Sequence, residues 1–339
     1  MNVSAMDMAP EWPAALLAWP AILAQTLIFG SAMLCLMLNW PAGSRARTGD
    51  ALARALAGWW RMLALIVALV SPLMFINEVA GMAGVSLRGA LPLLGEVLAQ
   101  TQAGHSWQWR LPVTFALMLA AWLPMRESAR ALTLVILCAG LFLAGSLKSH
   151  AIDFGATAVA LRFVHALAAG TWAGALFGYW VGTRPANPEN RVTVEAAQML
   201  SRVAGWSVSI LIVSGIYIAY EGLGHSLYHL LYSSYGRVLA VKIEAFALVL
   251  AIGAYNRFYL IPALDQPSAR HTLARNAGAE SLMIAGVIGL TALLAATPPA
   301  RMSMTMSMRA LSARTPPGIA VSKNTATRDA TAAGDRRSE

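Results

Sequence analysis

The chain has 339 residues, of which 58% are hydrophobic and only 12% charged, against roughly 25% charged in soluble domains. That balance excludes a soluble globular protein and points to one that crosses a membrane several times. The net charge of +9 does not indicate a nucleic-acid partner, because 7 of the 25 Lys and Arg follow residue 300 and most others flank apolar runs, where membrane topology places them.

Backbone polar groups in lipid must be satisfied internally, and apolar runs of about 20 residues select helices over barrel strands. The predicted fold class is therefore all-α, a polytopic bundle of about eight transmembrane helices. Its spans lie near residues 14–38, 59–77, 111–125, 131–147, 157–182, 203–220, 237–260 and 281–297. The first twelve residues, MNVSAMDMAPEW, carry acids and no basic leader, so the first span is expected to remain attached. Cys35 and Cys138 both fall inside spans and offer neither a disulfide framework nor a CxxC site. Residues 1–297 form the transmembrane domain. Residues 298–339, rich in Ala, Ser, Thr, Pro and Arg, form a basic tail that cannot bury enough apolar surface to fold alone.

Arginines cluster on alternate connections, Arg45, Arg126, Arg184 and Arg270 among them, which predicts that those connections are cytoplasmic and that both termini face the periplasm. Gln25 and Gly30-Ser31 in the first helix are spaced like His165 and Gly170-Thr171 in the fifth, the mark of a four-plus-four repeat or of similar composition alone.

The fifth span, LRFVHALAAGTWAGALFGYW (161–180), carries Arg162, His165 and glycines 170, 174 and 178. Ionisable groups inside hydrocarbon face a bundle interior or an ion path, and glycines at four-residue spacing admit another helix at close range. His150, in SHA just before this span, lies toward the same mouth. Two imidazoles there suit copper in either oxidation state. A loop histidine and a hydrogen-bonded core histidine are the alternative.

Met74, Glu78 and Met82 recur at four-residue spacing at the outer end of the second helix, which sets two thioethers and a carboxylate on one helical face. Packing by the methionines and hydration of the carboxylate are the competing explanations. In the tail, RMSMTMSMR offers Met302, Met304, Met306 and Met308 where no core exists to absorb them, and soft thioethers select Cu(I). His225 and His229 share a face if EGLGHSLYHLLY is an interfacial helix. In the seventh span Lys242 and Glu244 point about 200° apart, so each needs its own partner, and Arg257 is expected to anchor the helix at the cytoplasmic headgroups. No Walker A sequence, Ser-His-Asp set or HExxH pattern occurs, so the chain is expected not to be an enzyme.

With these residues in view the chain resembles the copper resistance protein D (CopD) family of bacterial inner-membrane proteins. The resemblance covers about residues 140–299. It rests on SHA (149–151), LRFVHALAAGTWAGAL (161–176), SVSILIVSGIY (207–217), YGRVLAVKIEAFALVLAIGAYNRF (235–258) and AESLMIAGVIGLTALLAATPP (279–299), with AGMAG (80–84) added from the first half. It implies copper movement across the inner membrane, alongside a separate periplasmic carrier of the CopC type. On that basis His150, His165, Met82 and Glu78, with Met74, would form an outward-facing copper site that the methionine tail supplies. Two alternatives stay open: a b-type cytochrome with His150 and His165 or His225 as haem ligands, and a non-transporting factor that delivers copper to an oxidase.

Overall fold

The computed structural model describes residues 11–39, 46–149, 155–183 and 194–299. Every regular element among them is helical. In chain order these are α1 (Trp12–Asn39), α2 (Ala46–Ala83), the short α3 (Leu87–Ala90) and α4 (Leu94–Gln100), α5 (Gln102–Trp122), α6 (Glu127–Lys148), α7 (Ala156–Gly182), α8 (Val194–Gly222), the short α9 (Tyr228–Tyr232), α10 (Ser234–Tyr255) and α11 (Pro267–Ala295). Seven helices are long and apolar enough to cross a membrane, so this is an all-α, multi-pass membrane protein. The eighth long helix, α5, carries His105, Arg110 and two glutamines and stands outside that set. His150 and the methionines 302, 304, 306 and 308 lie outside the described residues.

Several helices outrun their apolar spans. α2 starts at Ala46 rather than near residue 59, because Leu52, Ala53 and Leu56 bury one face of its polar extension in the main core. α1 is the central element: 67% of its apolar window is buried, against 11% for the span containing α10. It reaches α11 through Trp19 Nε1, which donates to Ala285 O at 2.9 Å. Glu11 N donates to Ala296 O at 3.1 Å, so the first described residue and the end of α11 meet at one end of the bundle. That end is called here the terminal end.

The glycine stripe of α7 is where α1 approaches. A Cβ on Gly174 would lie 2.7 Å from Gly30 Cα and 2.5 Å from Thr26 O, and one on Gly178 would lie 3.0 Å from Ser31 Cβ. Small residues on both helices bring the backbones together, and van der Waals packing does the rest.

Two corners repeat the same construction. Thr101 ends α4 and caps α5, accepting from Gly104 N at 2.9 Å while its hydroxyl donates to Val97 O at 2.8 Å. Ser233 ends α9 and caps α10, accepting from Gly236 N at 3.0 Å while donating to His229 O at 2.6 Å. Six residues beyond each glycine stands a cation, Arg110 in α5 and Lys242 in α10. With α1 and α7 opening the two halves, the matching corners agree with a four-plus-four repeat.

The segment after α8 is not the single amphipathic helix expected. Gly224 and His225 both adopt positive φ, 65° and 64°, which breaks the helix, and only Tyr228–Tyr232 is helical. The two histidines therefore do not share a helical face. His225 Nε2 lies 3.2 Å from Glu221 Oε2 and its ring stacks on Tyr220, while His229 Nδ1 bonds Leu223 O at 2.7 Å.

Candidate functional site

The sequence-predicted residues that are described fall into two clusters at the terminal end. The first joins α2, α5 and α6. Glu78 Oε2 accepts from Trp107 Nε1 at 2.8 Å and forms an ion pair with Lys148. The Lys148 ammonium lies 4.9 Å from the Trp107 ring centroid and the Arg110 guanidinium 4.5 Å from it, within cation–π range. One carboxylate thus serves two cations and an indole. Glu78 is part-buried and paired with Trp107 and Lys148. The ion pair also brings the chain two residues before His150 to the end of α2.

The methionines of that face part company. Met74 packs with Phe75, Val79 and Trp107 in a small second core, which is ordinary packing. Met82 is 51% exposed. No hydrogen bond or ion pair among the described residues joins Glu78 to His165.

The second cluster joins α7, α8 and α10. His165 Nδ1 lies 2.9 Å from Ser214 Oγ, and that hydroxyl donates to Ile210 O at 2.6 Å. A hydroxyl has one proton, so Ser214 accepts from Nδ1–H and leaves Nε2 unprotonated, the form that binds a metal. The charged groups acting most strongly on His165 are Lys242 and Arg162. Neither has a hydrogen-bonded or ion-paired carboxylate among the described residues. Glu244, two residues on, is exposed, as the 200° separation from Lys242 allows. His165 therefore sits in a net positive setting, and no group of three or more His, Cys, Asp or Glu among the described residues could hold a metal.

A third feature was not anticipated. A cavity of about 290 Å³ opens among α7, α8, α10 and α11, lined by Trp172, Tyr179, Ser201 and Leu250 among others. Beyond α10 the chain makes a π-helical turn, Asn256–Leu260, a device common at functional positions. The turn leaves Phe258 and Tyr259 68% exposed and buries Asn256 at 5%. Asn256 Nδ2 donates to Glu280 Oε1, and Asn276 Nδ2 donates to Asn256 Oδ1 at 2.8 Å. Arg257 Nη1 bonds Ser201 O at 2.5 Å and Ser201 Oγ at 3.1 Å. It ties α10 to α8 rather than serving only as a headgroup anchor. The sequence signal was a glutamate one residue before the last apolar span, 281–297.

Residues 8–157 match the family model of the copper resistance protein D-like N-terminal domain, and residues 194–294 match that of copper resistance protein D. The chain belongs to the copper resistance protein D family. Copper resistance protein D of Pseudomonas syringae pv. tomato is 26% identical to it over 248 residues, which cover 69% of this chain and 78% of that protein. No solved structure matches it. The two copper resistance protein D matches leave out residues 158–193, most of α7 and with it His165. Asn256, Asn276 and Glu280 all lie within the second match.

Proposed function

We propose that this chain contributes to copper resistance by carrying copper across the bacterial inner membrane, with both termini on the periplasmic side. Family membership supports the copper-resistance role. The observation that carries the step to transport is His165: an imidazole inside a membrane-spanning helix, oriented by Ser214 so that Nε2 can ligate. Copper is the cargo, and the positive charge of Arg162 and Lys242 disfavours capture of a bare ion. Delivery already coordinated, by a periplasmic CopC-type carrier or by the methionine tail, meets that difficulty. Passage inward would draw on the membrane potential, about 2.3 kcal/mol per charge per 100 mV, and successive weak sites would permit release. The chain acts without catalysing a covalent reaction.

The test is copper uptake into proteoliposomes with wild type, His165→Ala and His150→Ala, with an absorption spectrum of each preparation. Uptake lost in His165→Ala supports a carrier whose path includes α7. Intact copper binding without uptake favours delivery to another protein, and a haem band favours a cytochrome.

A further inference from the structure

Glu280 is 3% exposed and projects from the middle of α11, a helix long and apolar enough to cross the membrane. Its Oε1 takes the hydrogen bond from Asn256. Oε2 receives no donor from any described residue, lines the cavity, and lies 3.5 Å from where a Cβ on Gly253 would stand. A bare carboxylate in apolar surroundings is too costly to persist without a cation or a proton.

No cation among the described residues forms an ion pair with it. Arg257, from the π-helical turn, lines the same cavity, but its guanidinium is held by Ser201. From α7 comes the Tyr179 phenol, and the lining residues of α8 and α10 include no acid or base. α1, which also packs on α11, has no charged side chain, and its one titratable group is the Cys35 thiol.

We propose that Glu280 is a membrane-embedded proton-binding site, loaded and unloaded through this cavity and positioned by the Asn256–Asn276 amide pair. The lining contains no methionine, cysteine or histidine, so a soft ion such as Cu(I) finds none of its preferred ligands. Sodium would need several oxygens, and Asn256 Oδ1 is already occupied by Asn276. A proton needs only the one free carboxylate oxygen. The site is independent of copper binding at His165 and stands or falls separately from it.

Dicyclohexylcarbodiimide, an apolar reagent that adds to protonated carboxyls, tests this on the purified full-length protein. Peptide mass spectrometry after labelling over a range of pH should place the adduct on Glu280, with labelling falling about tenfold per pH unit above its midpoint. Exchanging choline for sodium should leave it unchanged, and Glu280→Gln should remove the adduct. Absence of label on Glu280 at every pH, in protein that labels there once unfolded in detergent, would overturn the proposal. So would saturable protection by sodium at constant pH, which would make this a sodium site.

Discussion

Lys148 and Glu78 form an ion pair that ties the last turn of α6 to the C-terminal part of α2, with Trp107 donating to the same carboxylate oxygen from α5. Three helices thus share one acceptor. Glu78→Gln leaves Lys148 and Arg110 without a counter-charge, and hydrogen bonds to charged groups are worth about 1.5–3 kcal/mol. The expected outcome is a loss of that size in detergent unfolding. Adding Lys148→Met should recover part of it, a coupling that a double-mutant cycle reads directly.

The α1–α7 crossing has no room for a methyl group. Gly174→Ala would force Gly30 and Thr26 apart, and overpacking of this kind costs about 1–3 kcal/mol. Gly58→Ala is the control: an added Cβ meets nothing within 4 Å in a helical, exposed position. There alanine should stabilise by up to about 1 kcal/mol. Thermal unfolding of the two variants should therefore move in opposite directions.

Ser214 fixes the tautomer of His165, and loss of such an outer partner typically weakens a metal site roughly 10–100-fold. Ser214→Ala should lower copper affinity by that order while leaving the folded state intact, as read by copper titration beside circular dichroism. Unchanged affinity would detach copper from His165.

Asn256 bridges Asn276 and Glu280. Asn256→Leu strands one buried amide and one buried carboxylate oxygen, each at about 1–3 kcal/mol. A clear drop in unfolding temperature is expected, larger than that for Asn276→Ala, which leaves the bond to Glu280 in place.

Composition and run length determined by themselves that this chain is all-α and multi-pass, because lipid leaves the backbone no alternative. The glycine spacing of α7 likewise announced a close helix neighbour, since small side chains at four-residue intervals have one geometric consequence. What sequence could not decide was partnership. Met74, Glu78 and Met82 share a helical face by spacing, yet one packs, one is paired by Lys148 and one is exposed, because α5 and α6 cover part of that face and not the rest. His225 and His229 were four apart, but two successive positive φ angles removed the helix that would have aligned them. Glu280 looked like a span boundary. Only the π-helical turn, which rotates Asn256 inward from a segment distant in sequence, made it the polar centre of a cavity, since spacing fixes faces within a helix and packing alone fixes what each face meets.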